Sequence, residues 1–144
     1  MRSAPISPCL RLLPAPVQAL VQALEERNPA TAAHGRRVAT LALQLAEFSH
    51  RLARPELEQV FLAGYLHDLG KLGVPLRALA KKSKLIEEEF AYIRAHPSDG
   101  AEILESIPTL QHLTTGARYH HERWDGVGYP AGLEGEQIPL VARM

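Results

Sequence analysis

At 144 residues the chain is long enough for one domain around a single sizeable core. Sixteen Lys and Arg balance sixteen Asp and Glu, which excludes a broad electrostatic attraction to a nucleic acid polymer or a membrane surface. The lone Cys9 excludes an internal disulfide and fits a reducing, cytoplasmic setting, while seven histidines favour a site of nitrogen and oxygen ligands over thiolates.

In chain order, residues 1–16 are punctuated by Pro5, Pro8, Pro14 and Pro16, which read as a poorly ordered leader or linker end and break up any signal-peptide core. No run approaches the roughly 18 apolar residues that a membrane span needs. A helix is predicted from Val17 to Arg27, with Val17, Leu20, Val21 and Leu24 on one face. Asn28-Pro29 interrupts it. A second helix is predicted from about Thr31 to Leu52, with Val38, Leu41, Leu45 and Phe48 as its apolar stripe. Arg54-Pro55-Glu56 starts a third, which runs through Phe61, Leu62 and Leu66 to His67. Gly70 is expected to end that helix in a left-handed conformation.

After Pro75 a polar loop, KKSK, leads to a helix from Glu87 to Ala95 whose three opening glutamates complement the helix dipole. His96-Pro97 is expected to break the chain, because the residue before proline is pushed out of the helical region. Short helices are predicted over Ser98 to Ser106 and Thr109 to His121. From Glu122 onward Gly126, Gly128, Pro130, Gly132, Gly135 and Pro139 make a long loop. No segment alternates as a strand would, so the fold class is all-α: a helical bundle with a long Gly/Pro-rich loop near the C-terminus.

Four places carry chemistry: His34, His67-Asp68, His96 and His120-His121. Their separations of 33, 29 and 24 residues exclude a local zinc-finger spacing, so a site must be assembled from facing helices. Neighbouring helical residues point about 100° apart, so His120 and His121 suit two adjacent ions better than one. Asp68, with two oxygens, suits a bridge between them, the arrangement that two-metal phosphoester hydrolysis uses. Each piece also has a plain reading. His34 can be solvated, His96 can cap a turn, His67-Asp68 can be an internal hydrogen bond, and His120-His121-Glu122 can be a polar helix end. His50 and His112 are read as ordinary surface histidines.

The order H(34), HDLGK (67–71), HP (96–97) and HHERWDGVGYP (120–130) resembles the HD-GYP family, a branch of the HD-domain metal-dependent phosphohydrolases. The resemblance covers about residues 17–144 and is close throughout HDLGKLGVP and HHERWDGVGYPAGLEGEQIPL. It implies a bacterial signalling enzyme that hydrolyses cyclic di-GMP to pGpG or onward to GMP. It also implies two divalent ions, with iron or manganese fitting the donor set. By the same resemblance His34, His67, Asp68, His96, His120 and His121 are metal ligands and Asp68 bridges. Lys71 lies near the scissile phosphate, so Asp68 and Lys71 are the expected catalytic residues. Gly128, Tyr129 and Pro130 shape the substrate pocket and possible signalling-protein contacts.

Three departures qualify what the resemblance implies. Ala30 stands four residues before His34, where relatives with a third ion carry glutamate, so two ions are expected. Lys81-Lys82-Ser83-Lys84-Leu85 replaces a loop that usually reads like KPGKL. The chain also reaches Met144 before the aspartate that completes the first metal site in the family and before a later RPYR-like basic segment. Residues 17–144 are therefore read as a partial domain lacking its C-terminal helices, weak or inactive by itself. The competing readings are a non-catalytic signalling or binding module and a generic HD nucleotide phosphohydrolase.

Overall fold

The computed structural model describes residues 13–50 and 52–144. Seven α-helices follow one another: α1 (Ala15–Arg27), α2 (Pro29–Ser49), α3 (Arg54–Leu66), α4 (Leu76–Leu79), α5 (Glu87–Glu105), α6 (Thr114–Tyr119) and α7 (Leu140–Arg143). Among the described residues, 3-10 turns at Leu69–Gly73, Pro108–Leu113 and Gly135–Gln137 join them. The described residues contain no strand, only an isolated bridge between Asp125 and Glu134. The all-α expectation holds. Most of the expected leader lies outside the described residues, and Ala15 and Pro16 already belong to α1.

The helix starts follow local chemistry. Asn28 ends α1 and caps α2 at once: its backbone N–H donates to the Leu24 carbonyl, and its side chain accepts from Thr31 N at 3.0 Å. Pro29 fits the first turn of α2, so that helix opens two residues earlier than Thr31. It ends at Ser49, short of the predicted Leu52, because His50 turns left-handed with φ 51°. At α3, Glu56 reaches back to accept from Ala53 N at 2.7 Å.

The core brings Val17 and Val21 of α1 against Ala39, Ala63, Leu66, Leu69, Leu104, Leu110, Leu113 and Ala117. Leu66 and Leu104 are fully buried, each contributing about 1.5–3 kcal/mol by removal from water. The apolar face predicted for α1 faces inward, with Leu20 at its partly buried edge.

The stripe predicted for α2 is corrected. Leu41, Leu45 and Phe48 are 64%, 52% and 81% exposed, and the buried face is Gly35, Ala39, Ala42 and Ala46. Both rows have helical spacing, but only the small row lets α3 come close. A Cβ on Gly35 would lie 2.6 Å from the Tyr65 carbonyl oxygen, and one on Gly64 would lie 3.0 Å from Ala39 Cα.

Two further expectations are corrected around α5. His96-Pro97 does not break the chain: α5 runs unbroken past Pro97, which is buried. Proline lacks the N–H that would meet the carbonyl four residues back, that of Ile93. The His96 ring supplies the missing donor, its Nδ1 bonding to the Ile93 oxygen. Gly70 is not left-handed either; it lies within the 3-10 turn that follows α3. It is small because α5 presses on it. A Cβ there would sit 1.9 Å from the His96 carbonyl oxygen and 2.6 Å from Gly100 N.

Candidate metal centre

The ends of α3 and α6 and the middle of α5 converge on Asp68, which is 2% exposed. His67 caps α3, His96 lies on the inner face of α5, and His120 and His121 follow α6. His34 reaches in from the second turn of α2. All six side chains singled out as ligands therefore meet in one place. They form two groups, His34-His67-Asp68 and His96-His120-His121, with the ligand atoms of each group within 4.8 Å of one another.

Asp68 divides its two oxygens between these groups. Oδ2 lies 3.2 Å from His67 Nε2 and 3.9 Å from His34 Nε2, while Oδ1 lies 3.0 Å from His96 Nε2 and 3.8 Å from His120 Nε2. Lys71, one 3-10 turn on, donates its ammonium to Oδ2 at 2.7 Å.

The backbone fixes the tautomer of three of the rings. Nδ1 of His67 bonds to the Gly64 carbonyl, that of His96 to Ile93 and that of His120 to Ala117, each three residues back. A carbonyl only accepts, so Nδ1 carries a proton and Nε2 is the nitrogen that faces inward as a possible ligand atom. The His96 and His120 Nε2 atoms stand 3.1 Å apart, facing each other and the carboxylate. Possible ligand atoms converging on a carboxylate suit a cation between them. The backbone carbonyls are the outer partners that orient metal-binding imidazoles.

Electrostatics keep the donors in ligand form. Burial holds the His120 imidazole down to about 3, helped by His67 and His121, and holds His121 down to about 4, helped by His96. Burial also lowers His34. For Asp68, burial pushes upward, but the His67 and His96 rings against its oxygens and the charge of Lys71 outweigh it and hold the carboxyl well below the usual range. At neutral pH Asp68 is a carboxylate, and His120 and His121 are neutral imidazoles.

The loop from Glu122 closes one side. Tyr129 N donates to the His121 carbonyl, and the Tyr129 ring stacks on the His121 ring at 4.7 Å with an 11° interplanar angle. Gly128 lets the loop fold back, since a Cβ there would fall 2.3 Å from Arg123 N. Pro130 follows through a cis peptide bond and is exposed. Two residues here escaped the sequence reading. Glu122, read as part of a polar helix end, accepts from the backbone N–H groups of Ala131, Gly132 and Leu133 and so organises the loop. The available signal was a glycine-rich loop whose amides need an acceptor. Arg94 lies over the Tyr129 ring, 5.0 Å from its centroid. Nothing in its sequence context marks it. His50 and His112 stay outside the centre, as expected.

Residues 18–144 match the family described as HD domain. The chain belongs to the HD-domain family, in its HD-GYP branch. Similarity to characterised relatives runs through the same span. A cyclic di-GMP phosphodiesterase of Vibrio cholerae is 38% identical over 136 residues, covering 83% of this chain and 27% of that protein. One of Pseudomonas aeruginosa is 41% identical over 122 residues, covering 84% of this chain and 29% of that protein. A 3'3'-cGAMP-specific phosphodiesterase of Vibrio cholerae is 39% identical over 127 residues, covering 87% of this chain and 24% of that protein. The chain thus spans less than a third of the length of each of these relatives. An HD domain implies divalent metal binding, and the donor set fits it. Among the described residues no helix is long and apolar enough to cross a membrane.

Metal binding by this HD domain is directly testable. A ligand that binds only the folded state at a hundred times its Kd stabilises by about 2.7 kcal/mol. Manganese or ferrous iron is therefore expected to raise the melting temperature by on the order of 10 °C. Differential scanning fluorimetry with and without a chelator measures this; indifference to every divalent ion would count against the centre.

Proposed function

We propose that the protein is a metal-dependent phosphodiesterase that hydrolyses cyclic di-GMP to pGpG and/or GMP in bacterial second-messenger signalling. The observation that carries this reading is Asp68, with one oxygen turned to each histidine group. His34, His67 and Asp68 would hold one divalent ion, and His96, His120, His121 and the shared Asp68 a second. Iron or manganese suits these ligands; calcium, which prefers oxygen alone, does not. When bound, such ions supply Lewis acidity, making water a competent nucleophile near neutral pH and offsetting charge on phosphoryl oxygens.

The chain's own groups complete the task. Asp68 remains anionic and so stays a ligand throughout. Lys71, 22% exposed, brings its ammonium to the rim of the centre, where it meets a phosphoryl oxygen. Gly128, Tyr129 and Pro130 form the pocket edge beside His121, and Tyr129 limits the directions from which a ring-shaped dinucleotide can approach. A cavity of about 210 Å³, walled by Val38, Ala63, Gly116 and Val141, opens next to His67 and His120. No serine, cysteine or threonine nucleophile is required.

The test is hydrolysis of cyclic di-GMP, followed by chromatography of pGpG and GMP. It uses the full natural reading frame that contains these residues, loaded anaerobically with iron or manganese. Product is expected with either metal and none after chelation, with 3'3'-cGAMP as the competing substrate. Stoichiometric metal without turnover of either dinucleotide would replace this reading with a binding module. Turnover of mononucleotides alone would point to a generic nucleotide phosphohydrolase.

A further inference from the structure

The centre has one more cation than the ligand set and Lys71 account for. Arg94 is exposed on α5, two residues before His96, and its guanidinium lies 5.0 Å from the centroid of Tyr129. The same ring stacks on His121, 4.7 Å away and nearly parallel. One phenol ring thus meets both a candidate metal ligand and a fixed positive charge. Among the described residues no carboxylate pairs with Arg94, and Asp68, the acid of the centre, is committed to Lys71. A guanidinium held by a ring face keeps its in-plane N–H donors available, and that fork matches a phosphate.

We infer that Arg94, seated on Tyr129, is a positioning residue that binds the second phosphodiester of a cyclic dinucleotide while the first is at the metal centre. This rests on the phosphodiesterase reading. The two phosphodiesters of such a ring are separated by a nucleoside, so a receptor for the distal one must lie outside the ligand shell. Lys71 and the histidines surround Asp68 within it, whereas Arg94 lies over Tyr129. The contact is to phosphate rather than to a base, so it serves cyclic dinucleotides of either purine.

The experiment compares Arg94→Ala and Arg94→Lys with the unaltered metal-loaded protein on three substrates: cyclic di-GMP, 3'3'-cGAMP and bis(p-nitrophenyl) phosphate, which has only one phosphodiester. Arg94→Ala is expected to raise KM for both cyclic dinucleotides about tenfold or more, with a much smaller change in kcat, as fits loss of a charge-assisted hydrogen bond. Its loss of kcat/KM on the one-phosphate substrate should be at least tenfold smaller. Arg94→Lys, which keeps charge but not the fork, should fall between. Metal content by plasma emission and the melting temperature report whether the centre itself has moved. A parallel loss on all three substrates, or no loss at all, overturns the receptor and leaves the phosphodiesterase intact. A loss confined to one dinucleotide overturns it in favour of base recognition. An unaltered protein that turns over no cyclic dinucleotide overturns the functional reading and the receptor with it.

Discussion

Asp68→Ala is expected to strip the metal centre and lower kcat on cyclic di-GMP by roughly a thousandfold. The size of the effect follows from the position of this one carboxylate. Its two oxygens face different histidine groups, so a single deletion would take a candidate ligand from both. Among the described residues it is also the one acid in the two ligand groups, and it is the partner of Lys71. Without it, two divalent ions and an ammonium would lie together in a buried space with no compensating charge. The fold itself should survive. Lys71 can turn to solvent, and His120 and His121 are neutral at pH 7 because burial, with neighbouring imidazoles, lowers them to about 3 and about 4. The diagnostic result is a variant that melts like the metal-free parent, retains no metal after desalting and shows no manganese-dependent stabilisation. A variant that keeps both ions would show that Asp68 is not their shared ligand.

Gly70→Ala is the second large effect, and it is structural. The added methyl would sit 1.9 Å from the His96 carbonyl oxygen and 2.6 Å from Gly100 N, both backbone atoms that no side-chain rotation can move. The 3-10 turn and α5 must separate, at a cost of about 3 kcal/mol or more. Because Asp68 and Lys71 flank Gly70 and His96 lies on the facing helix, the same separation disturbs the centre. Loss of metal is therefore expected alongside the drop in melting temperature. Gly73→Ala is the control. It lies in the same turn, but its nearest neighbour would be Asp99 Oδ2 at 4.0 Å, so a change within about 0.5 kcal/mol is expected. Equal effects at the two positions would show that backbone flexibility, rather than close approach, governs this turn.

These glycines show where local sequence rules stop. Gly70 after a helical run looks like a helix stop, because glycine is the usual residue in that conformation; here it is needed for contact with a segment about thirty residues away. Pro97 looks like a break because proline removes a donor, and only the folded helix shows the His96 ring replacing it. On α2 the larger residues, Leu41, Leu45 and Phe48, outweigh alanines in any hydropathy reading, yet the alanine row is the one that packs. For Gly70 and for α2 the deciding term is a distance between segments remote in the chain; for Pro97 it is the placement of one ring within its own helix.

What the sequence by itself determined is the chemistry on offer and the helices that carry it. Asn28 and Glu56 set helix starts through contacts within four residues, and the α1 face followed from its own periodicity. The residue types at His34, His67, Asp68, His96, His120 and His121 made a nitrogen-and-oxygen centre legible, and the HDLGK and GYP motifs pointed to its family. Only the tertiary structure decided how those groups are shared. It set one oxygen of Asp68 toward each group and brought Tyr129 onto His121 and beside Arg94. The physical reason is range: capping and periodicity act over a few residues, whereas ligand sharing and ring stacking depend on where whole helices come to rest.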